Sequence, residues 1–126
     1  ALAYPNEEKD FNRDEMIEIL KQVSLGHLQD RLDQEQDWTR ILSLGEQQRL
    51  AFARLLLHKP NVAFLDEATA SMDEGLEDNM YRLLKECLPN TTVISVGHRS
   101  TLQAFHQQQL MILGNGKWRF TDRNLV

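Results

Sequence analysis

Two short apolar runs, Val62-Ala63-Phe64-Leu65 and Thr92 to Val96, bracket one amphipathic segment, and this restricts the fold more than any other feature of the chain. The first run does not alternate apolar with polar residues, which predicts a buried parallel strand with both faces covered. Between the runs, Leu76, Met80, Leu83, Leu84 and Cys87 recur at helical spacing until Pro89-Asn90 ends the pattern. Parallel strands require a crossover, so strand, helix and strand make one βαβ unit. Cys87 lies among apolar neighbours and is expected in the core, where free cysteines tend to be.

Upstream of this unit the pattern is helical. Asn12 with Glu15 three positions on fits a capping arrangement, and Met16, Ile19, Leu20 and Val23 follow at helical spacing. A second short helix is expected around Leu25, Leu28 and Leu32, with Gly26 weakening the join between the two. The acidic loop Glu7-Glu8-Lys9-Asp10 and the polar stretch Asp33 to Asp37 read as connections. From Glu46 to about His58, residues Leu50, Ala53, Leu56 and Leu57 share a helical face. Pro60 disfavours a helical Lys59 and should stop that helix. Near the C-terminus Gly114-Asn115-Gly116 separates Leu110 to Leu113 from Lys117 to Phe120, which reads as a hairpin. Residues 1–45 are thus mainly helical and residues 46–126 are α/β, as parts of one domain. The opening Ala1-Leu2-Ala3-Tyr4-Pro5-Asn6 has no initiator Met and does not read as the beginning of a domain.

Composition narrows the function. Lys plus Arg number 14 against 19 Asp plus Glu, a net charge of -5 that argues against a protein chiefly engaged with a phosphate backbone. One cysteine rules out an internal disulfide and a Cys-rich metal site. The densest apolar stretch, Leu50 to Leu65, is interrupted by Arg54, His58, Lys59 and Pro60, well short of the roughly 20 residues a spanning helix needs.

Three places carry chemistry. Asp66-Glu67 ends the first apolar run, and open α/β sheets place ligands at the C-terminal ends of their strands. Adjacent strand residues face opposite ways, so the two carboxylates should have different tasks. One can hold Mg²⁺ largely through water, and the other can face an attacking water as general base or orienting group. Ser43 to Gln48 opens a helix, where free N–H groups, a hydroxyl and a glycine offer an anion site. His98, in Ser95-Val96-Gly97-His98-Arg99, follows the second strand. Each has a bland alternative when taken singly: an acidic strand end, a Ser helix cap, a polar surface residue. Their order and gaps together favour a common site.

Taken in that order, the motifs resemble the second half of an ATP-binding-cassette (ABC) ATPase domain. Leu42-Ser43-Leu44-Gly45-Glu46 is similar to the ABC signature, usually Leu-Ser-Gly-Gly-Gln, and continues as Gln47-Gln48-Arg49-Leu50-Ala51-Phe52-Ala53-Arg54. Phe64-Leu65-Asp66-Glu67-Ala68-Thr69 resembles the Walker B strand with its catalytic Glu. Ala70-Ser71-Met72-Asp73 resembles the D-loop, and His98 matches the switch histidine of the H-loop. Two positions depart from the pattern: Leu44 stands for the first signature Gly, and Ala70 for the usual D-loop Ser. Val-Gly-His-Arg-Ser and the Gly-Asn-Gly-Lys-Trp hairpin are similar to exporter-like half-transporters related to the peroxisomal fatty-acyl transporters.

The resemblance implies a partial P-loop NTPase fold, α/β in class: a helical subdomain followed by the C-terminal part of a parallel-sheet nucleotide-binding core. It implies Mg²⁺ and ATP as cofactors, sandwiched between two cassettes set head to tail. Ser43, Leu44, Gly45 and Glu46 of one cassette would meet the γ-phosphate held by the other, with the Leu44 side chain turned away from it. Asp66 would support Mg²⁺, Glu67 would polarise the attacking water, His98 would sense the γ-phosphate, and Asp73 would link the two sites. The partners implied are a second cassette, in a homodimer of half-transporters, and a transmembrane domain, at the cytoplasmic face of the inner (cell) membrane; nucleic acid is not among them. No Gly-x-x-x-x-Gly-Lys-Ser/Thr occurs in the sequence, and no Gln precedes the helical segment as a Q-loop would. A P-loop supplies most phosphate affinity, so the chain is expected to be a fragment, inactive alone. Two other functions share parts of this pattern. One is a soluble ABC ATPase of DNA repair, chromosome maintenance or translation; the other is a non-catalytic module with the cassette shape.

Overall fold

A computed structural model describes residues 12–31 and 38–123. The loop expected at Glu7 to Asp10, the stretch Asp33 to Asp37 and Leu32 lie outside the described residues. The chain divides into two compact units, residues 1–96 and 97–126.

In the first unit, helix α1 (Arg13–Gln22) starts at Asn12, whose side chain accepts from the Asp14 N–H at 2.7 Å. It buries Met16, Ile19 and Leu20. The second helix expected around Leu25 and Leu28 is a 3₁₀ turn, Gly26–Arg31, that buries Leu28, and Leu25 just before it is buried too. Ser24 turns the chain into it with φ 63°. A single turn, α2 (Trp38–Ile41), precedes α3 (Leu44–His58). Helix α3 ends where Pro60 dictates: Lys59 adopts the left-handed conformation, φ 50°, and its N–H closes on the Leu55 carbonyl. Its core face is the expected Leu50, Ala53, Leu56 and Leu57, widened by Phe52. α1 and α4 both pack against α3.

Strands β1 (Val62–Asp66) and β2 (Thr92–Val96) pair in parallel, from Val62 opposite Thr92 to Asp66 opposite Val96. The crossover is α4 (Glu74–Cys87), so the predicted βαβ unit is present. The Thr91 hydroxyl donates to the Pro60 carbonyl at 2.6 Å and fixes the register at the start of the strands.

Two expectations about burial fail. The strands are covered on one face only: Ala63 and Leu65 are buried, whereas Val62, Phe64, Ile94 and Val96 are exposed, Phe64 at 75%. Within the first unit, among the described residues, the sheet has just two strands and no other element covers those side chains. Cys87 is exposed. The buried stripe of α4 runs through Glu77, Met80, Tyr81 and Leu84, and Leu88 beyond it is buried too, so Cys87 points away from the core. Across the interior face, the Tyr81 ring meets Phe52 edge to face at 6.1 Å, and its hydroxyl lies 2.8 Å from the Ser95 hydroxyl. Burial pushes the Tyr81 pKa up, against a smaller opposing effect of the bond to Ser95.

The second unit holds a 3₁₀ turn, Ser100–Phe105, and the antiparallel hairpin β3 (Gln108–Gly114) and β4 (Lys117–Asp122). Asn115 and Gly116 both have positive φ, 53° and 74°, which suits the tight turn of a twisted ribbon. No helix among the described residues is long and apolar enough to cross a membrane.

Candidate functional site

The N-terminus of α3 is built by a reciprocal cap. The Ser43 hydroxyl accepts from the Glu46 N–H at 3.2 Å, while Glu46 Oε1 accepts from the Ser43 N–H at 3.0 Å. The Ser43 carbonyl then takes the Gln47 N–H at 2.9 Å. The Leu44 and Gly45 N–H groups precede the helical ladder and have no carbonyl partner within it. Leu44 is 61% exposed. Glu46 is engaged at both oxygens, since Oε2 lies 3.1 Å from His27 Nε2. The Ser43 backbone N–H holds the Glu46 carboxyl below its ordinary pKa, with smaller help from the Ser43 hydroxyl and from His27.

Asp66 ends β1 opposite Val96 and is exposed. Glu67 leaves the strand with φ 50°, a left-handed conformation that costs an L-residue roughly 1–2 kcal/mol. The neighbouring groups over-determine it. Its N–H donates to the Val96 carbonyl at 2.9 Å, and its carbonyl accepts from the Ala70 N–H at 3.2 Å, which turns the chain back at once. The two carboxylates therefore differ through this turn as well as through strand alternation. Further along, the buried Thr69 hydroxyl donates to Glu77, which has no solvent exposure, at 2.6 Å, and Met72 N–H reaches the Thr69 carbonyl at 3.0 Å. Asp73 caps α4 by accepting from the Leu76 N–H at 2.7 Å.

The start of α3 and the loop after β1 meet. A Cβ added to Gly45 would lie 3.6 Å from the Ser71 carbonyl, so this glycine sits directly beneath the loop. Gln48 donates to the Glu67 carbonyl at 3.4 Å and accepts from the Ser71 N–H at 3.1 Å. Ser43 to Glu46, Asp66, Glu67 and Asp73 all belong to the first unit. His98 is exposed and belongs to the second, two residues after β2 ends. Sequence reasoning missed Gln48 and Glu77 as determinants of the loop. For Glu77 a signal existed, since it lies on the same helical face as Met80, Tyr81 and Leu84. For Gln48 there was none, because its partners are backbone atoms distant in sequence.

Among the described residues no group of three His, Cys, Asp or Glu side chains is disposed to hold a metal ion. Mg²⁺ bound as its phosphate complex takes one or two carboxylates and otherwise water and phosphate oxygens, and Asp66, exposed at the end of β1, would be the carboxylate to hold it. When bound, Mg²⁺ would neutralise developing phosphate charge.

The ABC transporter family matches residues 4–70. The chain is 67% identical over 119 residues to an uncharacterised ABC transporter ATP-binding protein of Haemophilus influenzae, covering 94% of this chain and 20% of that protein. It is 48% identical over 118 residues to the chloroplastic ABC transporter D family member 2 of Arabidopsis thaliana, covering 86% of this chain and 16% of that one. Among solved structures it is similar to a bacterial Atm1-family ABC exporter with ATP bound, with a TM-score of 0.69 and 28% identity over 86% of this chain and 20% of the exporter. The chain thus spans about a fifth of the length of these proteins. Family match, sequence identity and fold agree, and this chain belongs to the ABC transporter family.

Proposed function

We propose that the chain is the C-terminal part of the ATP-binding domain of an ABC transporter, coupling ATP hydrolysis in a head-to-tail cassette dimer to transport across a membrane. The observation that carries this reading is the junction just described, where the capped start of α3 and the turn bearing Glu67 are tied together on one body. A capped helix start held beside an acidic strand end supports ATP chemistry over an inert module.

In this reading residues 1–45 end the helical subdomain at the signature, and residues 46–126 continue into the nucleotide-binding core. Ser43 and the N–H groups of Leu44 and Gly45 bind the γ-phosphate of ATP held by the partner cassette. Glu46 secures the geometry of that helix start through its bonds to Ser43 and His27. Asp66 supports Mg²⁺ through its water shell. Glu67 accepts a proton from the attacking water, His98 contacts the γ-phosphate, and Asp73 lies at the junction between the two sites. The second cassette is another copy in a half-transporter homodimer, the transmembrane domain belongs to the same or a partner chain, and the assembly works at the cytoplasmic face of the inner membrane. The similarity to D-family transporters and to an exporter supports transport over the soluble ABC ATPases.

Sedimentation of the 126-residue chain with and without Mg-ATP tests the division of labour. The expected profile is unchanged by nucleotide, because no P-loop motif is present to hold the phosphates. An ATP-dependent shift to dimer would contradict it.

A further inference from the structure

We infer that Gln48 is a positioning residue for Glu67, tying the backbone of the hydrolytic carboxylate to the helix that begins with the phosphate-facing motif. The inference rests on the reading of Glu67 given above. The side-chain amide bridges two ends of one turn: Nε2 donates to the Glu67 carbonyl at 3.4 Å, and Oε1 accepts from the Ser71 N–H at 3.1 Å. Gln48 lies three positions beyond Gly45, hence on the same face of α3, and Gly45 itself sits beneath the Ser71 carbonyl. Only a tip carrying both a donor and an acceptor can make this bridge. A carboxylate lacks the donor, an ammonium lacks the acceptor, and a thioether lacks both.

The bridge matters because Glu67 holds a left-handed backbone conformation. Its N–H is fixed from β2, so the orientation of its peptide toward Ala68 depends on what holds the carbonyl. Gln48 supplies one of those holds from a different element. A displacement of the start of α3 is thereby passed to the group that faces the attacking water. In a head-to-tail dimer these two ends of one cassette serve opposite ATP sites, so Gln48 is a mechanical link between sites through a single chain.

A double-mutant cycle in the full-length, membrane-reconstituted protein tests this, using Gln48→Met, Glu67→Gln and their combination. Gln48→Met should lower kcat for ATP hydrolysis by about tenfold while KM for ATP stays within about twofold, as for a lost orienting contact. In the Glu67→Gln background the same change should leave the residual rate within about twofold, because Gln48 acts through the Glu67 carboxylate. Gln48→Glu, which keeps the bond to Ser71, is the second variant should the Met variant fail to fold, and the same pattern is expected of it. An equal fold-loss in both backgrounds, or an unchanged kcat, overturns the role of Gln48 and leaves the reading of Glu67 standing. Wild-type turnover by Glu67→Gln alone overturns both.

Discussion

At the scale of single residues, the candidate site rests on a local cap. Ser43 caps α3 with its hydroxyl oxygen, which accepts from the Glu46 N–H. Ser43→Ala should destabilise the protein by about 0.5–2 kcal/mol, read by thermal or urea unfolding. Glu46 gives that cap a pH dependence. Its folded pKa lies below the ordinary 4.5, so its contribution is fully present above that value and is lost as pH falls through the lowered one. The stability gap between wild type and Glu46→Gln should therefore narrow as pH drops below 4.5, followed as Tm against pH. A gap that stays constant would mean that the carboxylate charge plays no part. Of this cap sequence reasoning named only the Ser43 part, as an alternative, although Glu46 three residues on closes it by purely local chemistry. The left-handed turn at Glu67 was not legible, since its stabilising partners, Val96 and Gln48, are brought to it only by the fold.

At the scale of elements, periodicity specified type and connection more securely than burial. The crossover β1–α4–β2 and the end of α3 before Pro60 follow from the spacing of apolar residues and from what proline forbids. Which side of an element faces inward depended on its neighbours. Helix α4 turns Glu77 into the interior and Cys87 outward because Thr69 offers Glu77 a hydroxyl at 2.6 Å, which lets a charged-type residue occupy a core position. A reading based on apolar residues alone gave Leu76, Met80, Leu83, Leu84 and Cys87, of which Met80 and Leu84 are buried, and missed Glu77 and Tyr81. The same buried bond ties the loop between Glu67 and Asp73 to α4 as Gln48 ties it to α3.

At the scale of the whole molecule, the unexpected finding is the bare face of the β1–β2 sheet. The sequence run Val62 to Leu65 has the composition of a strand covered on both sides, and the described chain covers one. The two statements agree if further parts of a complete cassette lie over Val62, Phe64, Ile94 and Val96. On that account Phe64→Ser should cost the full-length protein several kcal/mol of stability, on the order of the 3–5 kcal/mol of a buried Phe→Ala change, measured by thermal unfolding. A loss under about 0.5 kcal/mol would place Phe64 on a true surface. The central claim, that this chain carries the hydrolytic half of a transport ATPase, is tested most directly by ATP turnover and ATP retention in the full-length protein carrying Glu67→Gln. The account predicts that Mg-ATP stays bound while turnover falls by roughly 10²–10⁴-fold, the usual contribution of a positioned general base. Turnover at the wild-type rate would contradict it.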